Sequence, residues 1–267
     1  MIQRPSSGNP MSSGSEDDCL RIWQFSDTHL YADAAQELYG INCDISLQQV
    51  LLTAQSLPRA ADLCLLTGDL VHDYSEAAYQ RLLDYFERLA IPAYCLPGNH
   101  DAVNLMQRIL ESGHVSCDNH IVHGQWLIVL LDTTVYDSNA GHLSESECQR
   151  LEALLQDYPN SHVLLALHHP PVPTTMVWLD SGVTLDNPSR VQELVKKHSR
   201  IRAVIWGHAH QEFNQRLDGV LWAGCPSTMA QFKPGVSEFT LDTLKPGLRC
   251  LDLWEDGRID STVIRLP

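Results

Sequence analysis

Residues 62–101 have the sequence DLCLLTGDLVHDYSEAAYQRLLDYFERLAIPAYCLPGNHD, in which a helical pattern lies between two apolar runs. The run over 62–67 predicts a buried strand, because it is short, rich in Leu and followed at once by Gly. Between 75 and 89 the apolar residues recur at helical spacing, and Ser75 is placed as the N-cap. Residues 92–96 predict a second strand.

The alternation of strands and helices continues outward from this stretch and predicts a layered α/β domain. Further strands are predicted over 20–25, 126–131, 162–167 and 202–206, and further helices over 46–57, 103–111, 144–155 and 188–198. Ser144 and Glu147 are placed as a capping box. Short alternating runs then predict hairpins at the Asp-Gly, Pro-Gly and Asp-Gly pairs 218–219, 246–247 and 256–257.

Five of the predicted strands lead into loops that carry Asp, Asn or His side chains. In open α/β sheets, the loops beyond the carboxyl ends of the strands meet in one crevice. Each of these motifs alone is common in ordinary turns, but five of them, each directly after an apolar run, predict one shared site. The motifs are Asp27-x-His29, Gly68-Asp69, Gly98-Asn99-His100-Asp101, His168-His169 and Gly207-His208-x-His210.

This mixture of side chains is typical of a dinuclear metal site that transfers phosphoryl groups. Two divalent ions roughly 3.5–4 Å apart can hold both the attacking and the leaving oxygen. Carboxylates, imidazoles and a neutral amide oxygen suit Mn, Fe, Zn or Co, and the neighbouring glycines allow tight turns. The sequence therefore predicts hydrolysis of a phosphate ester by two metal ions at the strand ends.

The charge balance limits the classes of partner. The chain has 18 basic and 33 acidic residues, for a net charge of −15. Proteins that follow a polynucleotide backbone usually present a basic surface, so DNA, RNA and anionic membrane are disfavoured as main partners. No apolar run approaches the length needed to span a bilayer.

The cysteines and the first residues bear on compartment and domain organisation. Eight cysteines are dispersed without a CxxC pair, which argues against a disulfide framework and a thiolate zinc site and fits a reducing compartment. Residues 1–18 are rich in Ser, Gly, Pro and Asn and lack the apolar centre of a secretory signal. We predict a flexible tail over 1–18, one catalytic domain over 19–267 with a β-rich part over 220–267, and a cytoplasmic location.

The order of the five motifs resembles that of the calcineurin-like metallophosphoesterases, whose fold is a four-layered α/β/β/α sandwich. The resemblance runs from about residue 20 to the C-terminus and is stronger to the bacterial class III 3′,5′-cyclic-AMP phosphodiesterases. Five stretches of sequence carry the resemblance. The fifth, over residues 226–253, lies outside the metal motifs and therefore favours this branch. The stretches are FSDTHLYAD (25–33), LLTGDLVHDYSEAAY (65–79), LPGNHDAVNLM (96–106), GHAHQE (207–212) and PSTMAQFKPGVSEFTLDTLKPGLRCLDL (226–253).

The resemblance implies a role for each loop residue. Asn99, His100 and His210 would contact substrate, His100 would protonate the leaving ribose 3′-oxygen, and Asp101 would orient His100. The residues leave His168 and His169 open as alternatives, although the family pattern His-x-Pro points to His168. The implied ligands are Asp27, His29 and His210 for one ion, Asn99, His168 and His208 for the other, and Asp69 as the bridge.

The implied reaction is hydrolysis of 3′,5′-cyclic AMP to 5′-AMP by a metal-bridging hydroxide, with two divalent ions per chain. The same motifs are compatible with hydrolysis of 2′,3′-cyclic nucleotides, glycerophosphodiesters or monoesters, because the walls of the pocket and not the metal ligands select the substrate. A nuclease is a further alternative. A catalytically inactive metal-binding scaffold is a third alternative. A protein that had lost its catalytic activity would be expected to lack some of the metal ligands, and none is missing here. The metal pair and the oligomeric state stay open, a homodimer being one option.

Two aromatic or apolar residues and seven histidines lie outside the five motifs. Trp178 and Leu179 either line a base-binding pocket or pack in the core. The remaining histidines match no ligand motif and are predicted to serve in surface or loop positions; they are His72, His114, His120, His123, His142, His162 and His198.

Overall fold

Two six-stranded β-sheets lie face to face at the centre of the molecule, and helices cover their outer faces. The computed structural model describes residues 19–267. The predicted tail over 1–18 lies outside the described residues. No helix within the described part of the chain is long and apolar enough to cross a membrane.

The elements alternate along the first two thirds of the chain, as predicted. The strands are β1 (Cys19–Phe25), β2 (Glu37–Leu38), β3 (Ile41–Asn42), β4 (Leu63–Thr67), β5 (Ala93–Leu96), β6 (Val115–Ser116), β7 (His120–His123), β8 (Trp126–Leu130), β9 (His162–Ala166), β10 (Ile201–Trp206), β11 (Phe213–Leu217), β12 (Val220–Gly224), β13 (Gly247–Trp254) and β14 (Ile259–Arg265). The helices are α1 (Cys43–Gln55), α2 (Glu76–Leu89), α3 (Val103–Leu110), α4 (Glu145–Asp157), α5 (Val177–Asp180) and α6 (Pro188–Lys197).

Each sheet has a parallel centre and antiparallel strands beside it. The first sheet has the order β14-β13-β1-β4-β5-β6, in which β1, β4, β5 and β6 are parallel. The second has the order β11-β12-β10-β9-β8-β7, in which β8, β9, β10 and β12 are parallel. The parallel strands of each sheet therefore deliver their carboxyl ends, and the loops that follow, to one edge.

The side chains of the central strands alternate between two cores, which explains the layering. Ile22 of β1 and Leu164 of β9 belong to the core between the sheets. Trp23 of β1 packs in the core that contains residues of α1, α2 and α3, whereas Leu165 of β9 packs in the core that contains residues of α4 and α6. The predicted α/β/β/α sandwich is confirmed.

Capping explains where the helices begin. Ser75 accepts a hydrogen bond from the main chain of Ala78, as expected of an N-cap. The helix predicted over 46–57 begins earlier, at Cys43, because Asn42 caps it by accepting from the Ile45 N–H at 2.8 Å. In α4 only half of the predicted capping box forms: Ser144 accepts from the Glu147 N–H, while the Glu147 carboxylate accepts from the Asp132 N–H and binds Arg150.

The C-terminal part contains two of the three predicted hairpins. Asp218-Gly219 joins β11 to β12, and residues 256–257 lie in the turn between β13 and β14. The hairpin predicted at Pro246-Gly247 is wrong, because residues 225–246 form no strand and Gly247 simply begins β13. This long segment instead returns along the strand ends, where Phe232 and Leu241 form an isolated bridge.

Candidate metal centre

The seven predicted metal ligands lie together at the carboxyl ends of β1, β4, β5, β9 and β10. Main-chain hydrogen bonds connect these loops. The Gly207 N–H donates to the His168 carbonyl within the second sheet, and the Thr228 N–H donates to the Ser26 carbonyl across the two sheets. Among residues 19–267, three groups of side chains have ligand atoms within 4.8 Å of one another: Asp27 with His29 and His210, Asp27 with Asp69 and His168, and His168 with His169 and His208.

The backbone of these loops is unusual at the ligand positions. Five predicted ligands adopt the left-handed conformation, with φ of 54° at Asp27, 47° at His29, 52° at Asp69, 63° at His208 and 44° at His210. Each such residue costs about 1–3 kcal/mol and persists only where its surroundings hold it. The strain is thus concentrated on residues that aim side chains into one place.

Main-chain carbonyls fix the tautomers of three imidazoles. Nδ1 of His168 donates to the Thr67 carbonyl at 2.8 Å, Nδ1 of His210 donates to the Ala230 carbonyl at 2.9 Å, and Nε2 of His208 donates to the Val183 carbonyl at 2.5 Å. A carbonyl oxygen can only accept, so the proton must lie on these nitrogens. In the neutral rings the opposite nitrogen therefore carries a lone pair.

Those opposite nitrogens converge on the carboxylates and on one another. Nε2 of His168 lies 3.2 Å from Nδ1 of His208 and 3.3 Å from Oδ1 of Asp69. Nε2 of His210 lies 3.1 Å from Nε2 of His29 and 3.4 Å from Oδ1 of Asp27. Two such nitrogens repel each other when neither carries a proton, whereas a proton or a metal ion between them satisfies both. The donor set therefore fits divalent metal ions.

The acid–base properties of the site show the same demand for positive charge. Burial raises the pKa of Asp69, but the charge of His168 outweighs it and holds that pKa well below its usual range. Burial lowers the pKa of His168, but Asp69 outweighs it and raises that pKa to about 9. Burial lowers the pKa of His29 well below its ordinary value. The carboxylates are ionised at neutral pH and attract a proton or a metal ion.

The loop after β5 brings an amide oxygen to this centre. Oδ1 of Asn99 lies 3.2 Å from Nε2 of His168, and its amide nitrogen donates to Asn139. The main-chain N–H of His100 donates to Oδ1 of Asp69 at 2.8 Å. Gly98 makes this approach possible, since a Cβ at that position would overlap the Asp69 carboxylate.

Asp101 is buried, and its carboxylate connects the loop after β4 to the loop after β5. Its carboxylate accepts from the N–H groups of Leu70 and Gly98 and from the Tyr79 hydroxyl, at 2.8–3.1 Å. Within residues 19–267 no hydrogen bond joins it to the ring of His100. The Val71 N–H also donates to this carboxylate, so Asp101 joins the loops after β4 and β5, and its orientation of the His100 ring stays a prediction.

The structure separates the two adjacent histidines that the sequence left open. His168 has Asp69, Asn99 and His208 around Nε2, as described above. Nδ1 of His169 instead forms a hydrogen bond with the Thr133 hydroxyl at 2.8 Å, and Nε2 has no partner in the described part of the chain. The geometry favours His168 as the ligand between the two carboxylate loops.

His72, predicted to serve in a surface or loop position, lies in the loop after β4 and lines the pocket. Its Nδ1 is 3.0 Å from Nδ1 of His29, and its ring stacks on that of His100 with centroids 4.5 Å apart. The one feature of the sequence that indicates a place in the pocket is its position three residues after Asp69, in a loop that carries a predicted ligand. Asn139 was also missed, since no motif surrounds it.

An aromatic cluster forms one wall of the pocket, which has a volume of about 270 Å³. The cluster consists of Tyr39, Trp178, Phe232 and Phe239. Phe232 stacks on the ring of His210 with centroids 4.1 Å apart and an interplanar angle of 5°, whereas Tyr39 and Phe239 are 46% and 44% exposed. Trp178 and Leu179 both line the pocket, and they also pack in a small core with Met176.

Comparison with known proteins identifies the family. The family model for the calcineurin-like phosphoesterases matches residues 20–212. The chain belongs to this family. The match spans all five motifs and the strands from β1 to β10, so the resemblance inferred from the motifs is confirmed.

Curated relatives of this calcineurin-like phosphoesterase match it over most of its length. The 3′,5′-cyclic adenosine monophosphate phosphodiesterase CpdA of Escherichia coli (strain K12) is 39% identical over 248 residues, which are 92% of this chain and 90% of that protein. A 3′,5′-cyclic-nucleotide phosphodiesterase of Nostoc is 35% identical over 93% of each chain.

Solved structures with low sequence identity share the fold of this calcineurin-like phosphoesterase. A dimetal phosphatase from Danio rerio has a TM-score of 0.62 at 17% identity and covers 93% of this chain and 99% of its own. A purple acid phosphatase from yellow lupin seeds has a TM-score of 0.60 at 14% identity, over 92% of this chain and 54% of its own.

Proposed function

We propose that this protein hydrolyses 3′,5′-cyclic AMP to 5′-AMP in a metal-dependent reaction. The observation that carries the proposal is the convergence of imidazole nitrogens and ionised carboxylates at one end of a pocket whose other wall is aromatic. The names and coverage of the curated relatives support the same reaction. A catalytically inactive scaffold is disfavoured, because all seven predicted ligands are present in the sequence and their side chains lie together.

Asp69 is the proposed bridge between two ion positions. Its Oδ1 is 3.3 Å from Nε2 of His168, and its Oδ2 is 3.7 Å from Nε2 of His29, so the two oxygens face different imidazoles. One ion would be held by Asp27, His29 and His210, and the other by Asn99, His168 and His208.

The donors suit Mn, Fe, Zn or Co, since none of the three ligand groups in the described chain contains a thiol. When bound, the ions supply Lewis acidity to the phosphoryl oxygens and a water nucleophile of low pKa.

His100 is the proposed general acid. Its main-chain N–H is bound to Asp69 while its half-buried ring lines the pocket, outside the three ligand groups. A ring in that position can donate a proton to the ribose 3′-oxygen as the bond to phosphorus breaks. We assign Asp101 to a supporting role, because its bonds hold the loops that carry Asp69 and Asn99.

The aromatic cluster is the proposed contact for the nucleobase. Aromatic faces bind bases by stacking, and the partly exposed rings of Tyr39 and Phe239 lie 5.2 Å apart beside the ligands. A pocket of about 270 Å³ with such a wall favours a mononucleotide over a polynucleotide.

The reaction is tested with a substrate panel on chelator-treated and metal-reloaded protein. We expect reloading to restore hydrolysis of 3′,5′-cyclic AMP and 5′-AMP to be the product, identified by chromatography. The panel contains 2′,3′-cyclic AMP, a glycerophosphodiester and a phosphomonoester. Higher kcat/KM for any of these three would overturn the proposed substrate, and unchanged turnover after chelation would overturn the metal-dependent mechanism.

Phe239→Ala should weaken binding of the base without affecting the chemical step. Stacking contributes about 1–3 kcal/mol per base, so KM for 3′,5′-cyclic AMP should rise roughly tenfold while kcat changes little. A base-free ribose 3′,5′-cyclic phosphate should show no such change. Tyr136→Ala is the matched control, because Tyr136 is fully exposed. An equal effect of Phe239→Ala on both substrates would mean that the ring shapes the metal site and does not bind the base.

A further inference from the structure

His72 occupies a position between two groups of the proposed catalytic machinery. Its main-chain N–H donates to the Leu30 carbonyl at 2.8 Å, which fixes the loop after β4 beside that of β1. The ring of Tyr31 packs against it with centroids 4.9 Å apart. From there its ring contacts His29 through Nδ1 and stacks on His100 at an interplanar angle of 16°.

The tautomer of His29 determines what the contact with His72 does. Nε2 of His29 faces His210 and Asp69, so this nitrogen must be free of a proton to act as a ligand. The proton then lies on Nδ1, which donates to Nδ1 of His72 at 3.0 Å. His72 must accept at Nδ1, and its own proton lies on Nε2.

We propose that His72 is a positioning residue that holds His29 in its ligand tautomer and supports the ring of His100. The proposal rests on the metal-dependent function inferred above. A histidine that binds a metal usually donates its other N–H to a fixed acceptor, and that acceptor orients the ring and increases its basicity.

The dependence of His29 on a side chain sets it apart from the other proposed imidazole ligands. His168, His208 and His210 donate to main-chain carbonyls, which no substitution removes. His29 donates to an imidazole that a single substitution can remove. The affinity for the ion at Asp27 and His29 is therefore adjustable at position 72.

Three substitutions separate the two contacts of His72. His72→Phe keeps an aromatic ring beside His100 but removes the acceptor. His72→Asn keeps an acceptor near the position of Nδ1 but removes the aromatic ring, and His72→Ala removes both. His123→Phe is the control, because His123 is exposed on β7.

Metal binding is measured by calorimetric titration of Mn²⁺ into the chelator-treated full-length chain, and kcat and KM for 3′,5′-cyclic AMP are measured at saturating Mn²⁺. His72→Phe and His72→Ala should weaken one of the two binding events about 10–100-fold, and His72→Asn should restore it. At saturating metal, His72→Asn and His72→Ala should lower kcat, His72→Phe should retain it, and KM should not change.

The outcomes distinguish this inference from the function on which it rests. Wild-type Mn²⁺ affinity in His72→Phe would refute the role toward His29. Equal loss of kcat in all three variants at saturating metal would refute the role toward His100. A wild-type chain that binds no Mn²⁺ would instead refute the proposed function itself.

Discussion

Asp69→Asn should remove bound metal and lower hydrolysis of 3′,5′-cyclic AMP by more than about 100-fold. Loss of an outer partner of a metal ligand already costs about 10–100-fold, and Asp69 faces both imidazole groups directly. The substitution retains an oxygen that can accept from the His100 N–H, so the loop after β5 keeps its anchor. The expected loss therefore reports the bridging charge and not the collapse of the loop.

Metal content by mass spectrometry and steady-state turnover measure this effect. Asp118→Asn makes the same chemical change at an exposed position and should alter neither quantity. Full activity of Asp69→Asn in metal-depleted buffer would contradict the two-ion mechanism. Loss of one ion with retention of the other would assign Asp69 to a single ion position and contradict the bridge.

The fold was largely predictable because its determinants are local. The run over 62–67 and the amphipathic pattern up to Leu89 each specify one element. Ser75 marks the start of α2, and the N–H that it caps is only three residues away. The failures have equally local causes. Asn42 was not recognised as a cap, and Pro246-Gly247 has the composition of a turn although it opens a strand that pairs with β1.

The candidate ligands were predictable for a different reason, namely that parallel strands end at one edge. The hydrogen-bond acceptor of each imidazole could not be predicted from the sequence. His168 donates to Thr67, 101 residues away, and only the packing of the two sheets brings them together. His72 was missed for the same reason, because its contacts with His29 and His100 depend on three loops that meet in space.

His100→Ala should leave metal content close to wild type while lowering turnover of 3′,5′-cyclic AMP about 10²–10⁴-fold. The ring of His100 lies outside the three ligand groups, and the main-chain N–H that binds Asp69 is retained in the Ala variant. His114→Ala, at an exposed position, is the control. Retained metal content together with lowered turnover would identify His100 as a proton donor and not as a metal ligand.

The leaving group provides the sharper test of His100. Bis(p-nitrophenyl) phosphate releases a nitrophenolate that scarcely needs a proton, so the loss of turnover should be much smaller than with 3′,5′-cyclic AMP. Equal losses with both substrates would show that His100 stabilises charge or positions phosphate and is not the general acid. Loss of metal in His100→Ala would place the ring among the ligands or their supports, and the division of the Asn99-His100 loop proposed above would then be wrong.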